Sequence, residues 1–198
     1  MSSISLSQSP LEPHRDADVA RWHAMRVTFR REISVKVAID DERADGVKTF
    51  VPMRRMIKVT GRGKKMSVLE PAVHNLLFVK STRAWLQQFK SRVPHLQYMT
   101  ARVAGNNVPI VVRDEDMERF IAVSRNSIDD AVYLTPGEVD LTRGTRVRLH
   151  GGPLDGVEAI YVKLQGKRNK RIVVEIPNVI TVATATVAPD FIEVLSDI

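Results

Sequence analysis

The stretch Val73-His74-Asn75-Leu76-Leu77-Phe78-Val79 reads as the clearest strand in the chain, and it is apolar on both sides. Side chains alternate across a strand, so Val73, Asn75, Leu77 and Val79 point one way and His74, Leu76 and Phe78 the other. One apolar face serves the domain's own core. The second has two explanations: a further helix of the same domain covers it, or it stays open as a pocket for a partner.

The segments around that strand alternate in type. Residues 1–20 are rich in Ser, Pro and Asp without periodicity and read as a disordered tail. Arg21 to Val27 reads as a first strand. Ile33, Val35, Val37 and Ile39 alternate like a strand. Lys36 and Asp40 nevertheless pair at i,i+4, no Gly or Pro interrupts the run to Ala44, and Gly46 is available as a C-terminal cap, so a helix is expected. Val47 to Val59 reads as a strand broken at Pro52, followed by a hairpin tip at Gly61-Arg62-Gly63 and a returning arm. Ser81 or Thr82 caps a helix with the stripe Trp85, Leu86, Phe89, Val93, stopped at Pro94. Strands at Leu96 to Val103 and Ile110 to Val112 flank the turn Gly105-Asn106-Asn107. Asp114, Glu115 and Asp116 open a last helix that buries Met117, Phe120 and Ile121.

Residues 21–125 therefore run β-α-β-β-α-β-α, an α+β layer arrangement with an antiparallel sheet and three helices. Residues 126–139 are acidic, contain Pro136-Gly137 and read as a linker. Residues 140–198 are strand and turn throughout, which predicts a small all-β barrel.

Net charge is +7, and its distribution is uneven. Residues 21–125 hold 21 Lys and Arg against 10 Asp and Glu, an excess of +11, whereas 140–198 hold 8 against 7. Arg54, Arg55, Lys58, Arg62, Lys64 and Lys65 fall in one stretch without an acid. Such a run is either a solvated loop or a surface facing nucleic acid.

Several chemistries have no support. Without cysteine there is no disulfide, thiol nucleophile or Cys-rich metal site. No two of His14, His23, His74, His95 and His150 stand at i,i+4, so no metal-binding helix is implied. Gly61-Arg62-Gly63-Lys64-Lys65 lacks the spacing of a phosphate loop, and no nucleophile-elbow motif occurs. No enzyme activity, metal or cofactor is expected. No apolar run is long enough to cross a bilayer and the first twenty residues do not resemble a secretory signal, so a cytoplasmic protein is expected.

Two segments together resemble the NusG family of transcription elongation factors. The first comprises Trp22-His23-Ala24-Met25-Arg26-Val27, then Phe50-Val51-Pro52-Met53, a basic hairpin, and Glu70-Pro71-Ala72-Val73-His74-Asn75-Leu76-Leu77-Phe78-Val79. That order is similar to the family's N-terminal NGN domain. The second, Arg143-Gly144-Thr145-Arg146-Val147-Arg148-Leu149 followed by Gly152-Pro153-Leu154-Asp155-Gly156-Val157-Glu158, is similar to the KOW motif of SH3-like barrels. Leu76 stands where an aromatic is common, and Ala159 where the motif repeats a glycine. The hairpin and the "NLLFV" strand also resemble the specialised UpxY and RfaH types.

The resemblance implies an NGN domain at 21–125 that grips the clamp helices of RNA polymerase's largest subunit. Leu76 and Phe78 would floor the pocket, with Met53, Val73, His74, Tyr98 and Met99 around it. Gln87 and Gln88 would touch the opposite wall of the cleft, closing the clamp and suppressing pausing or termination. Arg30 and Arg31 would approach the non-template or upstream DNA, extended by the hairpin cations. The KOW domain at 140–198 would offer Lys163, Lys167, Arg168, Lys170 and Arg171 to Rho or a ribosomal small-subunit protein. A monomer is expected. The competing expectation is a KOW-containing RNA-binding or ribosome-associated protein.

Overall fold

The computed structural model describes residues 19–61, 63–135, 138–164, 170–183 and 189–195. The expected tail falls almost wholly outside them, as do Arg62, Lys167 and Arg168. The N-terminal elements are β1 (Arg21–Val27), α1 (Glu32–Asp41), β2 (Lys48–Phe50), β3 (Met53–Val59), β4 (Lys65–Pro71), β5 (Leu76–Ser81), α2 (Arg83–Arg92), β6 (Leu96–Tyr98), β7 (Thr100–Val103), β8 (Asn106–Pro109), β9 (Val111–Val112) and α3 (Asp114–Asn126). The C-terminal strands are β10 (Val132–Leu134), β11 (Thr145–Leu149), β12 (Glu158–Lys163), β13 (Lys170–Ile176), β14 (Ile180–Ala183) and β15 (Ile192–Val194).

The first sheet runs β2-β5-β1-β6, with β9 also pairing β1, and its pairings are antiparallel. Strand β1 is central because it carries apolar side chains on both faces. Trp22 and Ala24 face the cluster built on α3, whereas Met25 and Val27 face the cluster built on α1 and α2. Strand β5 does the same with Leu76 and Phe78 on one side and Leu77 and Val79 on the other. The hairpins β3–β4 and β7–β8 are separate two-stranded ribbons.

Helix formation follows the local signals. In α1 the i,i+4 pair Val35 and Ile39 is buried, while Ile33 and Val37 are exposed and Lys36 is ion-paired with Asp40. The turn after α1 differs from expectation: the left-handed position falls first on Arg43, at φ 46°, and Gly46, at φ 74°, lies beyond it. Thr82 caps α2 by accepting a bond from the Trp85 N–H at 3.2 Å. Strand β5 begins only at Leu76, because Asn75 sits at φ 64° and ends the expected alternation there. Val73 accordingly packs with the Leu76 and Phe78 cluster instead of with Leu77 and Val79.

The C-terminal sheet is antiparallel in the order β10-β14-β13-β12-β11-β15. Strand β10 comes from the segment expected to be linker, and α3 ends on the first residue of that segment, Asn126. Only residues 127–131 separate α3 from β10. The two sheets are thus held close, with α3 between them: Val174, Ile176, Val179, Ile180 and Val182 share one apolar cluster with Met117, Phe120 and Val123 of α3 and with Trp22 and Phe78 of the first sheet.

His23 illustrates what burial does to a titratable group on the opposite face. It is 5% exposed, packs edge-on to Tyr98 at 5.6 Å, and its Nδ1 has no hydrogen-bond partner among the described residues. Burial, reinforced by Arg83 and Arg21, holds the imidazole below its ordinary pKa. The folded state therefore takes up the proton less readily than the unfolded one. Its stabilising contribution is complete above the ordinary imidazole pKa and is lost as pH falls through the depressed folded value. Urea midpoints measured between about pH 7 and pH 5 should fall for the native protein and flatten in His23→Phe, the difference isolating this residue from other histidines.

Candidate functional site

The face expected to stay open is closed. Helix α3 lies on it, with the Phe120 ring 5.6 Å from Phe78 and 6.1 Å from Phe50. Phe78 is fully buried and Leu76 nearly so. Of the two explanations for the second apolar face, cover by a helix of the same domain is the arrangement found. The physical reason is that Met117, Phe120 and Val123 form an apolar stripe on α3 that itself needs burial.

The seven residues assigned to that pocket do not converge. Val73 and Met99 border the α3 cluster, whereas Met53 and Tyr98 border the α1/α2 cluster on the other side of the sheet. His74 is exposed, its Nδ1 3.3 Å from Oε1 of Glu32, a carboxylate only 1% exposed whose other oxygen has no partner among the described residues. Gln87 and Gln88 are both exposed, in the middle of α2.

Above α3 sits the C-terminal sheet. The Arg119 guanidinium lies 3.6 Å from Glu158 of β12, and Asn126 Nδ2 donates to the Pro153 carbonyl at 3.4 Å. Arg148, seconded by Arg119, keeps the Glu158 carboxyl below the ordinary carboxylate range. The ring of Tyr133 on β10 meets Phe120 edge-on at 6.4 Å. The junction 127–131 is clasped from the side: the Arg55 N–H donates to the Ile128 carbonyl at 3.1 Å and its Nε to Asp129 at 2.7 Å. A cleft of about 370 Å³ runs between β8, β9 and the Ile176-Pro177-Asn178 turn.

The hairpin cations are largely neutralised. Lys58 and Arg54 both grip Glu70, at 2.8 and 3.0 Å, and hold its carboxyl below the ordinary range. Arg55 is occupied by Asp129, leaving Lys64 and Lys65 exposed near the tip. The register explains the pairing, because Arg54 stands directly opposite Glu70 across the ribbon. On the C-terminal sheet, Lys163 and Lys170 are cross-strand partners. The Lys170 Nζ lies 5.3 Å from the centre of the Tyr161 ring, and Arg171 donates to the Asp130 carbonyl at 3.3 Å.

Exposed positive charge collects instead where β1 meets α1. Phe29 and Arg30 adopt φ of 62° and 53°, two successive left-handed positions without glycine, each costing roughly 1–2 kcal/mol. The strain is held by three bonds to two other segments. Arg30 N–H donates to the Asn75 side-chain oxygen at 3.1 Å, Val27 N–H to the Asn75 carbonyl at 3.0 Å, and Thr28 N–H to the His95 carbonyl at 3.1 Å. Phe29 is 78% exposed, the most exposed large apolar side chain among the described residues. Phe29 was not among the residues that the sequence singled out. The available signal was an aromatic immediately preceding Arg30 and Arg31.

Comparison with known proteins fits this architecture. A family model described as transcription termination factor NusG matches residues 20–121, just over half of the chain and the whole run from β1 into α3. The chain belongs to the NusG family. It is thus a transcription factor of the NusG type, and the family is not one of enzymes. The α+β N-terminal unit and the C-terminal β unit are the fold that the family resemblance implied. Among solved structures, one described as domain interaction in Thermotoga maritima NusG is 18% identical, covering 89% of this chain and 98% of the other, at a TM-score of 0.43. No curated relative matches the sequence. No helix among the described residues is long and apolar enough to cross a membrane.

Proposed function

We propose that this NusG-family chain is a transcription elongation factor whose N-terminal domain docks on the clamp helices of RNA polymerase. A second contact at Gln87 and Gln88 bridges the cleft and suppresses pausing or termination. The C-terminal unit recruits a further partner, Rho or a ribosomal small-subunit protein, through the basic strands around Lys163 and Arg171. Arg30, Arg31, Lys64 and Lys65 face the upstream or non-template DNA.

One observation carries this reading. The apolar cluster of the N-terminal domain does not end at α3 but continues into Val174, Ile176, Ile180 and Val182 of the C-terminal sheet. The N-terminal domain therefore presents more apolar surface than its own chain segment covers, and the C-terminal sheet covers the remainder. A polymerase helix and the C-terminal sheet compete for that surface, with Val73 and Met99 at its rim and Leu76 and Phe78 shaping it from beneath. The factor then exists in a closed and an open form, and the polymerase shifts the population by its differential affinity for the open one.

The test is capture of purified polymerase by the immobilised full-length chain. Capture is expected with intact polymerase and lost when the clamp helices are deleted. Equal capture of both polymerases would remove the clamp as the docking partner.

A further inference from the structure

We infer that Phe29, with Arg30 and Arg31, forms a stacking platform for an unpaired nucleobase of single-stranded nucleic acid, the ring taking the base and the guanidinium groups its flanking phosphates. The inference deepens the nucleic-acid contact proposed above by naming its form and its central residue.

Three observations converge on this corner. The first is exposure. An aromatic ring left 78% in water gives up its hydrophobic contribution, and its one ring contact among the described residues, T-shaped with His95 at 6.4 Å, leaves most of the ring open to a ligand. The second is rigidity. Two consecutive left-handed residues persist only because Asn75, itself at φ 64°, and His95 over-determine the turn. Arg31 adds a side-chain bond, its guanidinium nitrogen 3.2 Å from His95 Nε2. A fixed ring loses little freedom when a base stacks on it. The third is charge. Arg26, Arg30 and Arg31 are exposed, and no ion pair with a described residue occupies any of them, in contrast to Arg54, Arg55 and Lys58 on the hairpin. The nearest acid in sequence, Glu32, is buried against His74.

This combination selects a ligand class. Bases in a duplex hide their faces in the stack, whereas an unpaired base offers one to an aromatic and its backbone to cations, with little dependence on sequence. An acidic protein would satisfy the guanidinium groups but supplies no flat aromatic surface for the ring.

The test uses the full-length protein and a labelled mixed-sequence single-stranded 12-mer as DNA, as RNA, and as the DNA duplex, read by fluorescence anisotropy. The native protein should favour a single strand over the duplex, and the DNA and RNA arms identify which strand it serves. Phe29→Ala should weaken single-strand binding roughly tenfold and leave duplex binding unchanged, while Phe29→Trp should retain binding and show emission quenching beyond that of the native protein. Arg31→Ala should reduce the log–log salt slope by about 0.7. Single-strand binding by Phe29→Ala at native strength overturns the inference. So does loss of polymerase capture in Phe29→Ala with oligonucleotide binding intact, since the ring would then seat on protein. Failure of the native chain to capture polymerase refutes the docking proposal and leaves the oligonucleotide result to stand by itself.

Discussion

Bridging position 119 to position 158 covalently should abolish polymerase capture. The chain contains no cysteine, so Arg119→Cys and Glu158→Cys introduce the only two thiols, and a short reducible bis-maleimide can join them. The native side chains reach within 3.6 Å of each other across the boundary between α3 and β12, so the bridge preserves the arrangement already present. With only residues 127–131 between α3 and β10, the C-terminal sheet remains at high effective concentration near its own docking surface even when released. A partner for that surface therefore binds with an apparent affinity reduced by the fraction of open molecules. Locking the sheet in place takes that fraction to zero. Capture should fall at least ~100-fold in the bridged protein and return when the bridge is reduced. Undiminished capture by the bridged form would mean that the polymerase docks elsewhere than under the C-terminal sheet.

The same apolar cluster marks the boundary of what local sequence could disclose. The alternation of Ile33, Val35, Val37 and Ile39 suits a strand, but the helix is favoured by Lys36–Asp40 pairing and by burial of Val35 and Ile39 alone, leaving half the pattern in solvent. That outcome was readable because the deciding contacts lie four residues apart. Strand β10 was not readable: Val132, Tyr133 and Leu134 sit in an acidic, unpatterned stretch and become a strand only through pairing with Thr181 to Ala183. Likewise, Met117 and Phe120 announce a buried helix face without saying which sheet face it covers. The basic hairpin misled for a related reason. Its run contains no acid, yet Glu70 and Asp129 arrive from the opposite strand and from the interdomain junction. Composition counts charges, whereas only the fold pairs them.

The corner at Phe29 separates stability from function in a way no core residue here does. Its left-handed backbone is tolerated because Asn75 and His95 hold it, and the side chain contributes almost nothing to the core. Strain without a stabilising return is what a binding site accumulates when geometry is selected over stability. By contrast Leu76 and Phe78, the residues that family resemblance brings forward, are indispensable to the fold, so loss of binding on their substitution would say nothing about docking.

Phe78→Asp is accordingly expected to unfold the N-terminal domain rather than merely to prevent docking. The side chain is fully buried between the first sheet and Phe120. Removing a buried phenylalanine to a small residue costs about 3–5 kcal/mol. Placing a carboxyl in the space adds at least ~1–3 kcal/mol more, because no donor is there to satisfy it. The sum is comparable to the whole stability of an ordinary domain, about 5–15 kcal/mol. The variant should lose the near-ultraviolet signal of the N-terminal aromatics and precipitate or bind a hydrophobic dye, whereas Phe78→Leu should remain folded with a lowered midpoint. The substitution that examines docking itself is Val73→Asp, at a half-buried position on the rim of the same cluster, which should stay folded while polymerase capture falls. A Phe78→Asp protein that retains the native melting profile would show that the side chain lies at a surface, and the three-layer packing of sheet, α3 and C-terminal sheet would then be wrong.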